Sequence, residues 1–277
     1  MIDDILTNYI HGDKFAELAS PINRIVDNGI VPKGYGRNPG IIYCPTHYID
    51  RAFRAIDGKR GPYLLITHNS DNCITKDKYD LKPKSIKSWW AQNVTIERED
   101  LKPIPIGIER IGKGISGNIN TIKSIRDSGI HKKSMLLNCY NINTNINERR
   151  DCFNYFRNQK FCVTVNNRIG FAENCQKTCE CKFVVAPPGN GADCHRMWES
   201  LYLGSYPVVL KGRGLDRFKD LPFVYVDKWD DVTEELLNSL WVSMRAIKYD
   251  INLLRFSTWK NSIEITWEKI RHCKTLR

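Results

Sequence analysis

Short, unbroken apolar runs alternate along this chain with stretches whose apolar residues recur at helical spacing. Runs of that kind mark strands buried on both faces, as in parallel sheets covered by helices. In the first half, residues 2–18 read as a helix interrupted at Gly12, and 28–40 as a loop punctuated by Gly and Pro. Residues 41–44 and 63–67 read as strands, with a helix over 48–56 between them. Residues 85–92, with Trp89 and Trp90, read as a short helix or turn. Two prolines make 102–108 extended, because proline is excluded from a helix interior. Between 110 and 130 the sequence turns rich in Gly, Asn, Ser and Lys, which marks a linker and a domain boundary.

The alternation then restarts. Strands are expected over 134–140, 161–165, 183–186, 207–210 and 223–226. Helices are expected over 147–158 (capped by Asn147, Phe153 and Phe156 inward), 170–179, 194–203, 231–247 and 257–271. Val232, Leu236, Leu237, Leu240 and Met244 form one stripe, and Trp259, Ile263, Trp267 and Ile270 another. Strand–helix alternation in both halves predicts two α/β, Rossmann-like domains with mainly parallel sheets. They would span 1–120 and 130–256, with the last helix, about 257–277, packing back on the first. Ligands of such sheets bind outside the carboxyl ends of the strands. The loops after Thr67, Ile108, Tyr140 and Ala186 therefore carry the interest, and two such edges facing each other would make a cleft.

Composition narrows the class. Hydrophobic residues make up 42% of the 277 and charged residues 26%, the profile of a globular protein. No apolar run reaches the roughly 18 residues of a membrane span. Asp3, Asp4, Asp13 and Glu17 make the first twenty residues unlike a secretory signal. A cytoplasmic location with reduced cysteines is expected. The net charge of +11 calls for an anionic partner, either a nucleotide or nucleic acid. Basic residues are scattered (among them Lys82, Lys84, Lys87, Lys211, Arg213 and Arg217) and favour several local anion contacts over a nucleic-acid arm. Of the ten cysteines, Cys175, Cys179 and Cys181 have the wrong spacing for the common zinc sites, and no metal is expected.

The densest chemistry lies in 182–210, KFVVAPPGNGADCHRMWESLYLGSYPVVL. A strand, the loop containing Gly189, Asn190 and Gly191, and a helix start make an anion site from converging N–H groups. Asp193 is expected to cap the helix, and Gly204 to end it in a left-handed conformation. Arg196 adds a fork of donors, Glu199 an acceptor suited to sugar hydroxyls, and His195 a group that could meet a phosphate or fix the loop. Asn138, Thr144 and Asn145 lie on a second loop at the same edge and can bond diphosphate or sugar hydroxyls. Arg149, Arg150 and Arg168 rank second, since arginines are ordinarily solvated surface charge. In the first half, Asp71 is the first candidate base for a hydroxyl nucleophile and His68 the second, both just past a strand end. His47 and Glu109 also follow strands and rank lower. Trp89 and Trp90 could stack on a sugar, with burial in a core as the structural alternative.

Residues 182–210 closely resemble the donor-binding segment of the exostosin-like glycosyltransferases, with Asp193, Arg196 and Glu199 at the positions of an Asp-x-x-Arg-x-x-Glu helix start. WWAQNV (89–94) with KPIPIGIE (102–109), and NCYNINTNINERR (138–150), are similar to short viral and bacterial members. The resemblance implies a GT-B fold, a nucleotide-sugar donor and catalysis without a metal. It also implies Arg196 on the diphosphate, Glu199 on ribose or sugar hydroxyls, and inversion with a base such as Asp71. Trp89, Trp90 and Glu109 fall to the acceptor side. Animal and plant members carry an N-terminal anchor and a longer acceptor domain, and neither is expected here. It looks most like the short forms encoded by large algal viruses, one of which is a xylosyltransferase. A UDP-sugar is thus the expected donor, UDP-xylose the suggested one, and a glycan or glycoprotein hydroxyl the acceptor. The alternative is a basic nucleic-acid-binding or scaffold protein on an α/β fold, which would have no need of Asp193, Arg196 and Glu199. A metal-dependent transferase is weaker still, because its Asp-x-Asp signature is reduced here to Asp227 alone.

Overall fold

A computed structural model describes residues 2–110, 117–212 and 214–272, with side chains from Ile5 onward. Arg213, Cys273 and residues 111–116 of the expected linker lie outside the described residues. In chain order the elements are α1 (Ile2–Thr7), α2 (Gly12–Ala16), β1 (Gly40–Pro45), α3 (Ile49–Ile56), β2 (Tyr63–His68), α4 (Lys76–Asp80), β3 (Ile86–Ala91) and β4 (Leu101–Pro103). There follow α5 (Ile119–Asp127), β5 (Ser134–Asn138), α6 (Ile146–Arg157), β6 (Cys162–Thr164), α7 (Phe171–Glu180), β7 (Cys181–Val185) and α8 (His195–Tyr202). β8 (Tyr206–Leu210), β9 (Val224–Val226), α9 (Glu234–Ala246) and α10 (Phe256–His272) complete the chain. The fold is α/β, with two all-parallel sheets of four and five strands.

The chain divides into two compact units. One is Ile10–Ile106 with the segment from Arg255, and the other is Gly107–Leu254 with the residues up to Tyr9. The four-stranded unit has the order β1-β2-β3-β4. One sheet face buries Ile42, Cys44, Leu65, Trp89 and Ala91 against Ile49, Ala52, Phe53 and Ile56 of α3. The other face meets α2 at β2 and α10 at β3. There the Phe15 ring stacks on His68 and meets Phe256 edge-on. Residues 85–92 thus form a strand, not the expected helix or turn. A strand inside a parallel sheet is buried on both sides and shows no alternation, and Lys87 and Ser88 interrupt its apolar run.

The five-stranded unit has the order β6-β5-β7-β8-β9. The chain steps from β5 to β6 on one side, then returns past β5 to β7 and continues outward. That reversal makes a topological switch point between β5 and β7, where doubly wound sheets open a crevice for ligands. Helices cover both faces. Phe153 and Phe156 of α6, with Leu237 and Met244 of α9, bury Leu136, Phe183, Val185 and Val208, while α7 and α8 pack on the opposite side. Part of the expected 110–130 linker is the helix α5, begun by the Asn118 side chain, which accepts from the N–H groups of Asn120 and Thr121. Residues 2–18 form two short helices, with the break before Gly12, which opens the second. Gly204 ends α8 with φ 73°, as its position required. Cys44, Cys139, Cys152, Cys175, Cys179 and Cys181 are buried thiols. Burial pushes the thiols of Cys152, Cys162 and Cys181 up to about 12. No helix among the described residues is long and apolar enough to cross a membrane.

Candidate functional site

Two loops leave the switch point, 139–145 after β5 and 186–194 after β7, and two side chains tie them together. Asn145, not Asn147, begins α6: its Oδ1 accepts from the Glu148 N–H at 3.4 Å. Its Nδ2 reaches across to the Gly189 carbonyl at 2.7 Å. From the first turn of the same helix, Arg149 donates through Nε to the Pro188 carbonyl and through Nη1 to the Asn141 carbonyl, each at 2.8 Å. Arg149 is only 5% exposed, which replaces the expectation of solvated surface charge; Arg150 beside it is exposed. A Cβ on Gly189 would stand 3.2 Å from Arg149 Nη2, so a residue without a side chain lets the loop close on the guanidinium.

At the start of α8, Cys194 is the cap residue and provides no side-chain cap bond. Asp193 does not cap the helix, because its carboxylate accepts from the buried indole Nε1 of Trp198 at 2.7 Å. The helix entrance, with its partial positive charge, thus has no side-chain cap bond from its cap residue Cys194. Beside it the Arg196 guanidinium lies 5.3 Å from the centroid of the Tyr140 ring, and that of Arg149 lies 5.6 Å from the same ring. Neither arginine is salt-bridged among the described residues. Burial, followed by the charge of Arg196, lowers the Arg149 guanidinium below its ordinary value. Two like charges held together without a salt bridge are costly, with the buried Glu199 carboxyl the acidic group that Arg196 acts on, and an anion of two or more charges would relieve that cost.

A cavity of about 690 Å³ opens beside this pair, within the range of small-molecule sites. Tyr140, Asn143, Asn167, Arg168, Phe171 and Arg196 are among its lining residues. Strand order places the loop after β6 on one side of β5 and the loop after β7 on the other, so the cavity runs across the end of β5. Its amides can both donate and accept, and its rings supply apolar area. Asn138 does not line it. That residue is fully buried, and its Nδ2 donates to the Phe153 carbonyl and to Thr164 Oγ1, holding α6 and β6 to the strand end.

On the next face of α8, His195 Nδ1 lies 2.8 Å from the Gly107 carbonyl oxygen. Glu199 follows one turn later, buried, and no hydrogen-bond donor meets its carboxylate among the described residues. Burial raises this carboxyl above its ordinary value; His195 and Arg196 draw it down and Glu109 pushes it up. Glu109 therefore belongs electrostatically with the α8 groups, in the five-stranded unit. Thr144 and Asn190 are exposed on the two loops, and Gly191 is buried.

In the four-stranded unit, Asp71 is exposed on the turn after β2. His68 is 1% exposed, and both its ring nitrogens are engaged: Nδ1 with Asn69 Oδ1 at 2.9 Å, Nε2 with the Pro105 carbonyl at 3.0 Å. A ring so committed has no nitrogen to offer an acceptor hydroxyl. Trp89 is fully buried, donates to Thr67 Oγ1 at 2.9 Å, and presents no face to a sugar. Trp90 is also buried. Sequence reasoning ranked Arg149 too low, pointed to the loop that holds Tyr140 and Asn143 without singling them out, and passed over Asn167 and Phe171. The available signal was the capping Asn145 four residues before Arg149, which points that side chain back at the loop.

Among the described residues no group of three or more His, Cys, Asp or Glu gathers as metal ligands. Scanned against protein-family models the chain matches none, and no curated protein matches it.

Proposed function

We propose that this chain is a glycosyltransferase of GT-B type that takes a sugar from a nucleoside diphosphate, a UDP-sugar such as UDP-xylose, to a glycan hydroxyl. The observation that carries the proposal is the pair Arg149 and Arg196, over the Tyr140 ring at the switch point with no salt bridge among the described residues, and beside a ligand-sized cavity. A diphosphate matches both guanidiniums and the entrance of α8. The amide-lined cavity suits a nucleoside, and the Glu199 carboxylate suits vicinal hydroxyls.

In the proposed reaction the anomeric carbon loses its diphosphate, which departs with the bonding electron pair. Arg196 and the α8 entrance are preorganised where that charge grows, in a part of the fold where such groups act strongly. A divalent cation serves the same end in other transferases; here side chains and helix would supply it. Asp71, the exposed carboxylate after β2, is the proposed base for the acceptor hydroxyl, with inversion at the anomeric carbon.

A panel of nucleotide sugars should raise Tm, because a ligand that binds only the native state stabilises it. Arg196→Ala should lower kcat/KM by about a hundredfold or more, as for a lost oxyanion donor; a variant within about threefold of wild type would contradict the role. Asp71→Asn should abolish transfer and leave donor binding intact, and a fully active Asn variant would remove Asp71 from the mechanism. The net charge of +11 alone supports a second possibility. A salt-sensitive gel shift with DNA or RNA, combined with no nucleotide effect, would favour nucleic-acid binding instead.

A further inference from the structure

The first residue of α8 carries a ring whose tautomer is set by its anchor. A carbonyl only accepts, so the 2.8 Å contact between His195 Nδ1 and the Gly107 oxygen places a proton on Nδ1. Nε2 is then the nitrogen that titrates, bare in the neutral ring and N–H in the cation. Among the described residues no hydrogen-bond partner meets Nε2. Side chains of a helix lean toward its N-terminus, so a ring on the first residue of α8 lies toward the helix entrance, one position before Arg196. The titratable and charged groups near this end of α8 are Glu109 on the segment it binds, Glu199 and Arg196 on its own helix, Asp193 and Cys194 at the helix entrance, and Arg149 of α6 beyond Arg196.

We propose that His195 Nε2 gives a proton to the diphosphate as it leaves, which makes His195 a catalytic acid. The assignment rests on the donor-site proposal and extends it to the departing group. The bond between the anomeric carbon and the diphosphate oxygen breaks with its electron pair on oxygen, and that oxygen takes the Nε2 proton. The incoming oxygen of water or a sugar hydroxyl bonds to the anomeric carbon and gives its own proton to water or a carboxylate base. The neutral imidazole then regains a proton from solvent.

The test uses the full chain and the nucleotide sugar that gives the largest thermal shift, starting from UDP-xylose, with release of the nucleoside diphosphate as the readout. His195→Asn can keep an amide donor near the Nδ1 position and the bond to Gly107 while removing Nε2. His195→Gln reaches the Nε2 position with a group that is no acid. Both variants should bind UDP within about threefold of wild type and release it about a hundredfold more slowly, the usual size of a lost proton transfer. Wild-type turnover should fall as rising pH strips the imidazole, and the variants should lose that limb. Wild-type turnover in either variant, an unchanged pH limb, or loss of UDP affinity in step with rate would overturn the acid role. Failure of the wild type to bind any nucleoside diphosphate would instead remove the donor site itself, and this assignment with it.

Discussion

At Arg149 a cation is held where main-chain carbonyls answer it, those of Pro188 and Asn141. Only a planar fork can serve two carbonyls from one side chain while leaving a third direction for an anion. Arg149→Lys should therefore cost about 1–3 kcal/mol in urea unfolding, the range for buried acceptors left without a donor, and weaken UDP binding as well. An unchanged midpoint would contradict the clasp. The residue was hard to find from sequence because its partners lie on two separated loops, and a lone Arg in a helix looks like any surface charge. Arg196 and Glu199 were legible because strand, glycine loop and helix start are contiguous. Glu199 also carries a pH prediction. Its folded carboxyl titrates above its unfolded value, so the stability this group contributes is present below the unfolded carboxylate range and lost as pH rises through the raised value. Glu199→Gln should gain on wild type in urea as pH rises from the unfolded carboxylate range through the raised folded value, while losing donor affinity. Identical pH dependence in the two proteins would refute the buried, strained acid.

Among the elements, α6 shows how one residue sets both a helix and a loop. Asn145 starts the helix and holds the Gly189 carbonyl, so the register of α6 fixes the height of the loop above the sheet. Asn145→Ala should remove about 1–2 kcal/mol, the cost of a lost cap, and loosen nucleotide binding; Asn147→Ala, on the exposed side of the helix, should do neither. Urea midpoints and UDP titrations of the pair check both. The elements misjudged from sequence share a cause. In β3, burial on both faces erases the alternation that identifies a strand, and in α5 a good N-cap at Asn118 outweighs a composition resembling a linker. Strands β2, β5, β7 and β8 were legible because each holds three consecutive apolar residues, at 64–66, 135–137, 183–185 and 208–210.

At the level of the whole molecule, the alternation of strands and helices announced two parallel sheets, but not which sheet has a switch point. Strand order depends on pairings that local sequence does not encode, and only the five-stranded unit reverses direction between neighbouring strands. The four-stranded unit recruits the C-terminal helix: α10 lies on β3, buries Ile263 and brings Phe256 to Phe15. Truncation after Leu254 should therefore speed amide exchange in β2 and β3 and leave β5 and β7 protected. Equal loss of protection in both sheets would show that the units do not fold around separate cores. The central claim is that a diphosphate sits on Arg149, Arg196 and the entrance of α8. Titrating UDP by calorimetry into wild type and Arg196→Ala tests it most directly. Saturable binding to wild type, weaker by about a hundredfold in the variant, is the predicted result, a loss of about 2.7 kcal/mol; no binding by wild type, or equal affinity in the two proteins, would contradict it.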